Sequence, residues 1–139
     1  MWYNTKMKAI RGKHRQGLNK IVKRLKESGW INIVIEDEFS MAKICQKTGR
    51  PVEGECDVHA EKYLCTGKHY LGVFEYKSNN KPKHADKGTI QLCKDFIQYK
   101  HNIRPHPDSV VSFFVFGDKP TYKRVHKRVL ESVVWNYKF

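Results

Sequence analysis

A chain of 139 residues with 40% hydrophobic and 12% aromatic content can bury one real core, and it fits a single domain spanning 1–139. Lys and Arg number 27 against 14 acids, a formal charge of +13 spread along the whole chain, which predicts a polyanionic partner, nucleic acid. No run of about 18 apolar residues and no apolar N-terminal stretch occurs, so membrane insertion and secretion are not expected.

The four cysteines form no C-x-x-C pair and lack the density of a disulfide framework. Reduced thiols and an intracellular location, cytoplasmic or nucleoid-associated, are expected.

A first helix is expected over about His14–Ser28, where Leu18, Ile21, Val22 and Leu25 form an i, i+3, i+4, i+7 stripe and Gly29 supplies the stop. Its other face carries Lys20, Lys23, Arg24 and Lys26. A strand should follow over Ile31–Phe39, then a loop over Ser40–Gly54 containing Gly49, Pro51 and Gly54. A hairpin fills Glu55–Lys77, and Asn79–Lys83 reads as a basic turn carrying Lys81 and Lys83. A second helix is expected from an Asp86 cap to about His101, with Ile90, Cys93 and Ile97 buried. Val110–Phe116 is apolar on both faces and should be a central strand. The tail Thr121–Tyr137 reads as a helix with Val125, Val129 and Val133 inward, although its valines also allow a strand.

The hairpin holds the chemistry. Two alternating runs flank Cys65-Thr66-Gly67, a three-residue loop with Gly where the backbone must turn left-handed. Facing residues then have numbers that sum to 132, so Asp57 lies opposite Glu75 and Glu55 opposite Lys77, all on one face. Two carboxylates about 5 Å apart across a ladder repel unless a cation lies between them, and a divalent ion is the natural candidate. Cys56 should point away from this face. Leu71 and Val73 precede Glu75 and Lys77 on the same side, so the strand runs from a core toward a cleft.

The element order, Glu55-x-Asp57 and Glu75-Tyr76-Lys77 together resemble the PD-(D/E)XK nuclease superfamily over about residues 14–117. Within it, archaeal Holliday junction resolvases and small virus-type replication-repair nucleases are most similar in first helix and size. The resemblance implies an α/β fold with a restriction-endonuclease-like core, a central mixed sheet of about four strands flanked by helices in the order αβββαβ, plus a C-terminal helix. It implies a Mg²⁺-dependent (or Mn²⁺-dependent) nuclease hydrolysing phosphodiester bonds, with DNA, including junctions, as the expected substrate.

By position, Asp57 and Glu75 would ligate the ion, the Tyr76 carbonyl would complete the protein side, and Lys77 would position the attacking water. Glu55 would hold Lys77 or a second ion, and Lys87 and Gln91, an i, i+4 pair on the second helix, would face the same cleft. A solvated face is the simpler reading of Gln91. Lys20, Lys23, Arg24, Lys81 and Lys83 would bind nucleic acid, and a homodimer is compatible with the resemblance.

The sequence departs from the family in the first helix, where Gln16, Leu18 and Asn19 stand in place of a frequent glutamate; Glu36 and Glu38 are the substitutes at hand. Two alternatives remain open, a non-catalytic basic binding module and a zinc-stabilised adaptor using Cys45, Cys56, His59, Cys65 and His69. Strand alternation opposes the second, since Cys56 and His59 are three apart and should face opposite ways. His59 should share the face of Asp57 and border the cleft.

Overall fold

A computed structural model describes residues 2–44, 51–101 and 107–136. The elements run α1 (Trp2–Glu27), β1 (Ile31–Ile44), β2 (Pro51–Tyr63), β3 (His69–Lys77), α2 (Pro82–His101), β4 (Ser109–Phe116), β5 (Thr121–Val125) and α3 (Lys127–Asn136). The strands form one open mixed sheet in the order β1-β2-β3-β4-β5, antiparallel except for the parallel β3–β4 pair that α2 connects.

Helix α1 covers one face, where Leu18, Ile21 and Leu25 pack against Val58, Phe74 and Val115. On the other face lie α2 and α3, whose Leu92, Phe96 and Leu130 pack with Leu71, Val73 and Phe114. Helix α1 starts at Trp2, earlier than its apolar stripe suggests, because no proline interrupts the preceding segment. It ends as expected. Gly29 sits at φ 84°, Trp30 N–H donates to the Leu25 carbonyl (3.0 Å) and Gly29 N–H to that of Lys26 (3.2 Å), the Schellman arrangement.

Several boundaries differ from the sequence expectation. Much of the expected Ser40–Gly54 loop is strand, since β1 runs to Ile44 and β2 begins at Pro51; residues 45–50, with Cys45, Gly49 and Arg50, lie outside the described ones. Helix α2 begins at Pro82, a residue suited to a helix start, rather than after Asp86.

The sheet has five strands where about four were expected, because the tail divides. Thr121–Val125 pairs with Ser112–Phe116 along the free edge of β4, which suits its Thr, Tyr and Val, and only then does α3 begin. Leu130 faces the core in α3, whereas Val129, expected inward, is exposed; the Val133 side chain lies outside the described ones.

The hairpin has the expected register. Its β2–β3 ladder runs from Val58↔Phe74 to Tyr63↔His69, every pair summing to 132. Leu64 N–H closes the loop on the Lys68 carbonyl (2.9 Å), and Gly67 takes the left-handed conformation at φ 85°.

Alternation does not continue to the start of β2. Val58 and Ala60 face α1, yet Cys56, two residues before Val58, packs on the α2 side. Strand β1 does the same opposite it. Ile35 packs toward α1, whereas Asp37 accepts a hydrogen bond from Tyr99 of α2 (2.6 Å). Between them Glu36 sits at φ 52°, a left-handed residue that turns the strand over. The paired strands therefore change face at the Glu36/Asp57 step.

Candidate active site

Beyond Val58↔Phe74, side chains take over from the ladder. Asp57 N–H donates to Glu75 Oε1 (3.2 Å), and Tyr76 N–H donates to Asp57 Oδ2 (2.8 Å). The strands separate here without leaving these amides unpaired. A cavity of about 370 Å³ opens at this point, lined by Glu55, Asp57, Glu75, Lys77, Lys87, Ile90 and Gln91.

The geometry thus brings six sequence-selected side chains to one cavity. Gln91 is half-buried rather than solvated, and its Nε2 donates to the Glu55 carbonyl (2.6 Å) and to Asp95 Oδ1 (3.3 Å). Tyr76 contributes backbone only: its ring lies on the α1 side, and its hydroxyl donates to the Gly117 carbonyl (3.0 Å).

The other basic residues lie elsewhere. Lys20, Lys23 and Arg24 line a separate groove of about 260 Å³ with Glu27, Pro120 and Tyr122, while Lys81 and Lys83 are exposed at the start of α2. Glu36 pairs with Arg15 (3.0 Å), and Glu38 lines a neighbouring acidic depression with Glu53 and Glu55.

Two site residues escaped the sequence reading. His14 of α1 places Nε2 3.4 Å from Asp57 Oδ1, with its ring 6.0 Å from that of Tyr76. Gly17 makes this approach feasible, since a Cβ there would lie 2.4 Å from the Tyr76 ring. Asp95, one turn after Gln91 in α2, is fully buried, and one of its oxygens lies within 4.8 Å of ligand atoms of both Glu75 and Cys56. Each had a faint signal. His14 continues the Leu18/Ile21/Leu25 stripe by one turn, and Asp95 lies among the apolar positions of α2.

Cys56 is a correction: it was expected to turn away from Glu75, and the change of face at Asp57 brings it to Glu75 and Asp95 instead. For the same reason Cys56 and His59 do not face opposite ways. His59 stacks on Tyr99 (4.8 Å between ring centroids), contacts Asp37 at 3.0 Å, and is not among the cavity-lining residues. The remaining zinc candidates do not converge among the described residues, since Cys65 is exposed in the hairpin loop and His69 pairs with Glu61 (3.2 Å).

The electrostatics separate the carboxyls. Burial would raise Asp57, but hydrogen bonds from His14 and the Tyr76 amide outweigh it and hold the group below the usual range, so it stays anionic. His14 is raised in turn, chiefly by its hydrogen bond to Asp57. Burial pushes Glu75 well up, reinforced by the charges of Asp95 and Asp57. Asp95 is likewise raised by burial, with hydrogen bonds from Glu75 and Gln91 opposing the shift. Glu55 is raised by burial and then by Asp57.

This donor set fits a hard divalent ion. Asp57 and Glu75 present crowded oxygens with Glu55 beside them, and the repulsion that raises Glu75 is of the kind a cation relieves. A scan against protein-family models matches none, and a search of curated proteins finds no match.

Among the described residues, no helix is long and apolar enough to cross a membrane.

Proposed function

We propose that this chain is a metal-dependent nuclease of the PD-(D/E)XK type, hydrolysing phosphodiester bonds in nucleic acid, with DNA as the substrate and junctions as the first structured DNA to test. The observation that carries this reading is the single cavity holding Glu55, Asp57, Glu75, Lys77, Lys87 and Gln91 in a chain of charge +13. The element order and mixed sheet support a restriction-endonuclease-like core.

Asp57 and Glu75 would hold Mg²⁺ or Mn²⁺, with the Tyr76 carbonyl as a further donor; when bound, the ion supplies Lewis acidity and a water more acidic than bulk water. The chain's own groups do the rest. Asp57 enters the reaction anionic, with His14 fixing its Oδ1 and the Tyr76 amide its Oδ2. Lys77 and Lys87 bring positive charge to the cavity wall, where they would offset charge growing on a scissile phosphate. Gln91 ties α2 to the Glu55 backbone and so keeps the cavity wall in place.

The groove of Lys20, Lys23 and Arg24 on α1, with Lys81 and Lys83 after β3, would take flanking phosphates.

A panel of junctions, flaps, duplexes and single strands incubated with Mg²⁺, Mn²⁺ or EDTA tests the reading. Metal-dependent cleavage lost in Glu75→Ala is expected. Salt-sensitive binding without cleavage of any substrate in either metal would instead make the chain a binding module.

A further inference from the structure

We propose that Cys56, Glu75 and Asp95 form a second, buried metal site, selective for Zn²⁺, that lies behind the cavity and shares Glu75 with it. One ligand atom from each residue lies within 4.8 Å of the other two. Bonds of about 2.0 Å from zinc to oxygen and about 2.3 Å to sulfur hold ligand atoms at most about 4.3 Å apart, so closure needs only a small side-chain adjustment.

A second observation concerns Asp95 itself. The residue is fully buried and turned toward Cys56 and Glu75, yet its Oδ2 has no hydrogen-bond partner. Buried carboxylate oxygens are rarely left so, and a cation is the partner that would satisfy it. Among the described residues no Lys, Arg or His lies within ion-pair distance of Glu75 or Asp95. The Cys56 thiol lies 3.3 Å from the Val58 carbonyl and within hydrogen-bond reach of Asp95, so it already faces the carboxylate with which it would share an ion.

Donor chemistry separates the two sites. A thiolate with two carboxylates favours a borderline ion such as Zn²⁺, whereas Asp57, Glu75 and Glu55 offer oxygen alone, which suits Mg²⁺ or Mn²⁺. Glu75 lines the cavity and belongs to the buried trio, so it provides the route inward.

Cobalt reports the thiolate directly. EDTA-treated, reduced full chain titrated with Co²⁺ should develop an intense near-ultraviolet sulfur-to-metal charge-transfer band saturating at one equivalent. Cys56→Ser and Cys56→Ala, each shown to be folded by circular dichroism, should lose the band. Asp95→Asn should weaken Co²⁺ binding at least about tenfold, whereas Asp57→Asn should keep the band.

Folded wild-type protein without the band, or a band undiminished in either folded Cys56 variant, would overturn the proposal. Because the readout is absorbance, failure to cleave nucleic acid would count against the nuclease reading and leave this one standing.

Discussion

Replacing Asp95 by Asn should change how stability depends on pH in metal-free protein. Asp95 is moved from the 3.8 of an ordinary aspartate to about 7, first by burial. Below about pH 3.8 the folded and unfolded chains both carry this proton, so it contributes no difference. Between about pH 4 and 7 the folded chain keeps a proton that the unfolded chain releases, and stability falls as pH rises. Above about pH 7 the full penalty applies, up to about 4 kcal/mol.

Asparagine has no such proton. It also removes one of the two charges that raise Glu75, so both effects favour the variant at high pH. Asp57 slopes the opposite way, its lowered carboxyl giving stability that is lost as pH falls, but it is common to both proteins and cancels in the difference. Urea unfolding in EDTA from pH 4 to 8.5 should show wild type weakening more steeply across this window than the variant, whose remaining slope comes from the buried Glu75. At pH 8 the variant should melt higher than wild type, by a shift on the order of 10 °C at most. Parallel pH profiles, or a variant less stable than wild type at pH 8, would refute the reasoning.

Asp57→Ala, Glu75→Ala and Lys77→Ala should each lower Mg²⁺-dependent cleavage by at least about 10²-fold without loss of fold, and comparable activity in Glu75→Ala would remove it from the centre. DNA binding should weaken with salt at a log-log slope of about −0.9 per phosphate contacted and survive EDTA; Lys23→Ala or Arg24→Ala should each make the slope shallower by about one. Gly17→Ala puts a methyl 2.4 Å from the Tyr76 ring and should cost about 1–3 kcal/mol, read as a lower urea midpoint at unchanged m; an unaltered midpoint would mean that α1 is not held so close.

What was legible in the sequence followed local rules. Turn chemistry at Cys65-Thr66-Gly67 and the period of two specified the Val58↔Phe74 to Tyr63↔His69 register, and helical spacing specified the buried Leu18, Ile21 and Leu25. The tail was harder because Thr121–Val125 suits either structure in isolation; the unpaired edge of β4 decides it, and an edge is a tertiary fact. His14 and Asp95 were hidden for the opposite reason. Each sits on a stripe that reads as core, and only the fold shows that the stripe ends against another polar group.

The orientation of Cys56 was not legible because alternation was carried through a position where the chain breaks it. A strand keeps its period only while each residue stays extended, and Glu36 at φ 52° does not. No residue type announces this, since glutamate seldom adopts that conformation. The turnover nevertheless gives the site its form. Continuous pairing would hold β2 against β3 by backbone-to-backbone bonds. Giving the Asp57 and Tyr76 amides to Glu75 Oε1 and Asp57 Oδ2 lets the strands part while both of these donors stay satisfied. The same bonds orient both carboxylates, so the opening of the cavity and the aiming of its ligands are one structural event.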